Sequence, residues 1–131
     1  MPFAGRWYND DKTVICYEFT GKLTVEDLDK LTDLHHEMLN SVDYPVHMML
    51  DWQRCEGIPP NIISYARNLL AQRQHPRTGA TVMIGMRLEL RIFFGAFERA
   101  IRFVIKTPRF LMADTQERGY TLLMEVAEGE K

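Results

Sequence analysis

The chain is poor in the residues and spacings that announce chemistry. Its 131 residues include two cysteines, four histidines and two serines, Ser41 and Ser64. Neither G-x-G-x-x-G nor G-x-x-x-x-G-K-[ST] occurs, so both common phosphate cradles for a nucleotide are missing. G-x-S-x-G and H-E-x-x-H are missing too, which removes the nucleophile elbow and the zincin motif. Cys16 and Cys55 are too few for a disulfide framework and do not form C-x-x-C, so a reducing, cytoplasmic compartment is expected. There is no basic excess. Lys and Arg number 16 against 18 Asp and Glu, a net charge of −2, and nucleic-acid binding gains no support. No apolar run approaches the roughly 18 residues of a transmembrane helix. The opening MPFAGRWYNDDK lacks the charged start and apolar stretch of a secretory leader, so none is expected.

What is present is an ordinary globular composition, 46% hydrophobic and 26% charged. One domain over residues 1–131 is expected, able to bury roughly two-thirds of its unfolded surface without a staple. Trp7 and Tyr8 open a short strand that Asn9, Asp10 and Asp11 turn, and the β-branched and aromatic run Thr13–Phe19 reads as its hairpin partner, broken by Gly21 and Lys22. Thr24 with Asp27 three residues later is a helix-capping signature. Val25, Leu28, Leu31, His35, Met38, Leu39 and Val42 then follow at helical spacing, until Tyr44-Pro45 ends the element.

Val46–Leu50 and Ala80–Gly85 are short apolar runs of the kind found in strands covered on both faces. Between them lie a long connection, Asp51–Pro59, and a helix opened by Pro60 with Ile62, Ala66, Leu69 and Leu70 on its buried side. His75–Gly79 is a turn. A helix fits Arg87–Ile105 and stops at Thr107-Pro108. Arg109–Ala113 is a last strand, and Thr115–Val126 a closing helix weakened by Gly119. The order β-β-α-β-α-β-α-β-α predicts an α/β fold: a mixed five-stranded sheet, parallel apart from the initial hairpin, with helices packed on it.

The leading site candidate is the stretch after the central strand, with Asp51, Trp52, Arg54 and Cys55, continued to Asn61. In open α/β sheets, ligands bind beyond the carboxyl ends of strands, and loops there carry function. The plainer alternative is that Asp51 caps nearby backbone amides and Trp52 covers the sheet end. His35 and His36, adjacent on a helix, point about 100° apart and do not readily share a metal. His35 is expected at the edge of the core and His36 in solvent. Met48, Met49, Met83 and Met112 either fill core gaps or line an adaptable apolar pocket. No metal or cofactor is expected.

Three stretches, EFTGKLTVEDLDKL, VHMMLDW and RFLMADTQERGYTLL, carry a resemblance. They are similar to the strand–glycine–helix opening, the apolar strand ending in aspartate, and the last strand and helix of the STAS-like, or SpoIIAA-like, anti-anti-sigma-factor domains. The branch resembled is the one also compared with CRAL-TRIO lipid-binding domains. The resemblance implies a non-catalytic domain acting by partner switching, or a ligand- or membrane-associating module. Its switching members carry a phosphorylatable Ser or Thr at the start of the helix after the central strand. Here that place reads Gly57-Ile58-Pro59-Pro60-Asn61-Ile62, with no hydroxyl, and no functional residue carries over.

No enzyme is therefore expected. A regulatory protein is the first choice of partner, and a small apolar or lipid-like molecule the alternative. On a helical wheel, Arg87, Arg91, Glu98 and Arg102 fall in one sector, and Leu90, Phe93, Phe97, Ala100, Ile101 and Val104 oppose them. Ile92, Ala96 and Phe103 widen the apolar arc on one flank and Phe94 on the other, beyond the roughly 100° that packing on a sheet requires. A neighbouring helix, a pocket, a membrane surface or a second copy could take up the surplus. A homodimer is favoured, two-fold dimers being the commonest oligomers.

Overall fold

A computed structural model describes residues 3–59, 61–62, 64–66, 68, 75–101 and 110–129. Five strands, β1 (Phe3–Trp7), β2 (Val14–Lys22), β3 (Val46–Gly57), β4 (Thr78–Ile84) and β5 (Phe110–Ala113), form one sheet in the order β1-β2-β3-β4-β5. β1 and β2 are antiparallel, and every other neighbouring pair is parallel. The expected mixed sheet with one initial hairpin is the observed one. Three longer helices are described: α1 (Val25–Asn40), α2 (Leu88–Ile101) and α3 (Gln116–Gly129). Ile62, Ser64–Ala66 and Asn68 are helical too, at the place of the expected helix after β3. Pro60, Leu69, Leu70, Phe103, Val104 and the Thr107-Pro108 stop lie outside the described residues.

The start of α1 follows its sequence signal. Asp27 N donates to Thr24 Oγ1 at 3.3 Å while Thr24 N donates to Asp27 Oδ2 at 2.8 Å, a reciprocal capping box. One sheet face carries Ile15, Tyr17, Phe19 and Val46 against Leu31, Leu34, Met38 and Leu39 of α1. The other carries Val14, Cys16, Met49, Ala80, Val82 and Ile84 under Leu123 of α3. Gly119, expected to weaken α3, faces the sheet. A Cβ there would stand 3.2 Å from Ile84 and 3.3 Å from Val82.

Several boundaries differ from the sequence reading. β1 ends at Trp7 instead of opening there. Gly21 and Lys22 do not break β2. They continue it through register shifts, with Gly21 at φ 67°. β3 does not stop at Leu50, so Asp51 to Gly57 are strand and not loop. The two extensions explain each other, because Glu18, Thr20, Gly21 and Lys22 pair with Asp51, Arg54, Cys55 and Gly57. β4 ends opposite Asp51, so the far part of β3 has a ladder partner on one side only. Few apolar side chains are needed there, and its polar composition resembles that of a connection.

Candidate functional site

Strand alternation divides the Asp51–Cys55 candidate between two surfaces. Met48, Leu50 and Trp52 of β3 point to the α1 side, with Phe19 of β2 and Met83 of β4 beside them. Leu28 and Leu31 of α1 border this floor on one side, and Ile58, Ile62 and Ala66 follow from the end of β3. Met86 and α2, through Leu90, Phe94 and Phe97, close the opposite wall. Together they line an apolar cavity of about 170 Å³ that is partly open to solvent. The described side chains lining it are all apolar apart from the indole N–H of Trp52. That indole is stacked on Phe19 with ring centroids 4.4 Å apart, and its Nε1 donates to the thioether of Met83 at 3.2 Å.

On the opposite face lies a polar hollow of about 210 Å³ formed by Glu18, Asp51, Gln53, Arg54 and Gln116. β3 holds one extra residue between Asp51 and Arg54 relative to β2, and this bulge turns both side chains to the same face. Asp51 is buried, and its carboxylate accepts from Gln53 N at 3.0 Å, Gln53 Nε2 at 3.3 Å and Gln116 Nε2 at 2.7 Å. It thereby caps a neighbouring amide and also ties the first residue of α3 to the sheet. Arg6 reaches Glu18 at 3.5 Å and Gln116 Oε1 at 3.4 Å.

Cys55 and Asn61 lie apart from both hollows. Cys55 is buried in the α1-side core, where burial pushes its thiol pKa up. Arg87 Nη2 donates to its carbonyl at 2.6 Å, strapping the start of α2 to β3. Asn61 is exposed, and its carbonyl accepts from Tyr65 N at 3.1 Å. On α2, Phe94 points inward, 5.2 Å from the Phe110 ring, instead of widening an outer arc. Phe93 borders the cavity while 40% exposed, Ala96 is half-buried, and Ile92 is 65% exposed. Phe103 is among the residues not described.

The histidines also separate. His35 Nδ1 is 2.9 Å from Tyr17 Oη, and burial, then the neighbouring His36 and His75, lower its pKa to about 4. His36 lies with its ring 5.2 Å from that of His75 instead of in open solvent. His47 Nδ1 accepts from Ala80 N at 3.0 Å in the core. Among the described residues, no group of three His, Cys, Asp or Glu could hold a metal ion. No helix among them is long and apolar enough to cross a membrane.

The methionine alternatives divide residue by residue. Met48 and Met83 line the cavity, Met49 is core on the other face, and Met112 is 43% exposed. Sequence reasoning missed Glu18 and Gln116, which share the polar hollow with Asp51 across 33 and 65 positions of chain. It also missed the α1 wall of the cavity, since Leu28 and Leu31 read as ordinary core residues.

No protein-family model and no curated protein matches the sequence. Solved structures do match in fold. An uncharacterized protein of the DUF3478 family with a SpoIIAA-like fold, from Shewanella loihica PV-4, is similar with a TM-score of 0.65 at 18% identity, over 92% of this chain and 93% of that one. The anti-sigma factor antagonist SpoIIAA in its unphosphorylated form is similar with a TM-score of 0.60 at 10% identity, over 94% of this chain and 97% of its own. The chain thus has a SpoIIAA-like α/β fold.

Proposed function

We propose that this domain is a non-catalytic module that binds a small apolar molecule between the sheet and α2. The observation that carries the reading is the cavity lined by Phe19, Leu50, Trp52, Met83, Leu90 and Phe94. Interiors are normally packed without such voids. A closed apolar cavity of roughly 150 Å³ takes up benzene, so this one has the size for a ring or short chain. The flexible thioethers of Met48 and Met83 let the wall adjust to an occupant. Native mass spectrometry of protein purified without detergent should show a bound small mass, absent from Ala66→Phe, whose added ring fills the cavity. A bare chain that also takes up no small neutral probe such as benzene or toluene would overturn the reading.

A second reading, protein–protein regulation with a homodimer as its simplest form, is favoured by one observation. Leu88 is 72% and Ile92 65% exposed, four residues apart on the outer side of α2. One neighbour in fold is an antagonist of an anti-sigma factor, a protein partner. Light scattering separates the cases. A dimer that Leu88→Asp with Ile92→Asp dissociates supports this surface, and a monomer at high micromolar concentration removes self-association.

A further inference from the structure

We infer that the cavity selects an uncharged ligand carrying one hydrogen-bond acceptor, such as a ketone, aldehyde or ester, and that Trp52 Nε1 is the group that reads it. The inference rests on the cavity being a binding site. Among the described lining side chains, Trp52 alone brings a strong donor, and none brings an ionisable group. A carboxylate or ammonium head buried against these side chains would be left without a partner, at a desolvation cost that apolar contacts do not repay. A pure hydrocarbon would leave the indole N–H as it stands, on the Met83 thioether at 3.2 Å. Sulfur of this kind is a weak acceptor. Its side chain has three rotatable bonds and can swing aside. A carbonyl oxygen taking its place converts a poor hydrogen bond into a good one. Stacking on Phe19 at 4.4 Å fixes the ring plane, so the N–H becomes accessible when the Met83 thioether that covers it moves.

The test uses three molecules of one shape: cyclohexyl methyl ketone, isopropylcyclohexane and cyclohexanecarboxylate. Affinities are measured by calorimetry on the parent and on Trp52→Phe, which keeps an aromatic ring for Phe19 to stack on. The hydrocarbon controls for the altered cavity volume. A net hydrogen bond is worth about 1 kcal/mol, so the ketone-to-hydrocarbon affinity ratio should fall about fivefold in Trp52→Phe. In proton NMR, one of the two indole N–H signals, the one missing from Trp52→Phe, should move downfield with the ketone and not with the hydrocarbon. The carboxylate should bind weakest at neutral pH. An unchanged ratio, or a carboxylate that binds more tightly than the ketone, overturns the selectivity while leaving the cavity as a binding site. If neither ketone nor hydrocarbon binds, both the selectivity and the site are lost.

Discussion

Tyr17 Oη and His35 Nδ1 stand 2.9 Å apart, joining the centre of β2 to α1 inside the core. Their rings meet edge-on with centroids 5.8 Å apart. Tyr17 is fully buried, and that burial raises its pKa, so the phenol stays protonated. His35 Nε2 is buried without a hydrogen-bond partner among the described residues. A protonated imidazole would carry an N–H on both nitrogens in a place that offers the second one nothing.

This pair predicts acid sensitivity. The folded-state pKa of His35 is lowered from 6.5 to about 4, first by burial and then by His36 and His75. Above pH 6.5, folded and unfolded chains both hold a neutral His35, and the residue adds no pH dependence. Between 6.5 and about 4 the unfolded chain takes up a proton that the folded one refuses. Stability therefore falls with falling pH, by up to about 1.4 kcal/mol per unit from this residue. Urea midpoints measured at pH 7.5, 6 and 5 should decline more steeply for the parent than for His35→Gln. Equal slopes would show that His35 titrates normally.

A second prediction concerns the strand beneath that pair. A Cβ on Gly5 of β1 would lie 2.6 Å from Tyr17 Cε1 and 3.1 Å from Leu34 Cδ2. The Tyr17 ring is fully buried and held by His35, so it has no free space to retreat into. Gly5→Ala should cost about 1–3 kcal/mol by overpacking. The expected sign is a lower urea midpoint with an unchanged slope. A neutral or stabilising substitution would mean that β1 shifts freely along the sheet edge.

The sheet is legible in the sequence because its signals are local. Val46–Leu50 and Ala80–Ile84 are apolar runs that only a doubly covered strand requires, and Thr24 with Asp27 marks its helix end without help from tertiary contacts. The site is half legible. Asp51, Trp52 and Arg54 stand out together, but their separation onto two faces depends on β3 continuing to Gly57. That continuation is set by the partner strand β2 and not by the composition of Asp51–Gly57. Phe94 is misplaced by the wheel for a related reason. The chain offers Phe93, Phe97 and Phe94 within an arc of about 100° on α2, and which of them points inward is fixed by Phe110 and Met83, both outside that helix.

The cavity itself yields a third prediction, in which stability and binding move in opposite directions. Unfilled apolar space forfeits packing contacts. Ala66→Phe should therefore raise the thermal midpoint while abolishing uptake of apolar molecules, and the gain should be about 1 kcal/mol. Differential scanning calorimetry with and without cyclohexyl methyl ketone checks both halves. The ligand should stabilise the parent and leave the variant unchanged. A variant that is destabilised and still ligand-responsive would place the binding space elsewhere.

The polar hollow supplies the last prediction, since its chemistry allows donor and acceptor to be exchanged. Asp51 Oδ2 accepts from Gln116 Nε2 at 2.7 Å, while Asp51 Oδ1 takes Gln53 N at 3.0 Å. In Asp51→Asn the remaining oxygen is needed by Gln53 N, and the new amide nitrogen faces the Gln116 amide, donor against donor. A buried donor left without an acceptor costs about 1–3 kcal/mol. Gln116→Glu alone sets a second carboxylate against Asp51 and should cost a comparable amount. Combined, the two substitutions rebuild the contact with its direction reversed: the amide introduced on β3 donates to the carboxylate introduced on α3. Arg6, which already touches Gln116 Oε1 at 3.4 Å, then gains a charged partner. The double variant should be more stable than either single one, with a coupling energy well above the few tenths of a kcal/mol expected of independent sites. Chemical denaturation of the four proteins at pH 7 gives that coupling directly. Additive losses would show that Asp51 holds α3 through Gln53 or water, and that Gln116 is not the tie between helix and sheet.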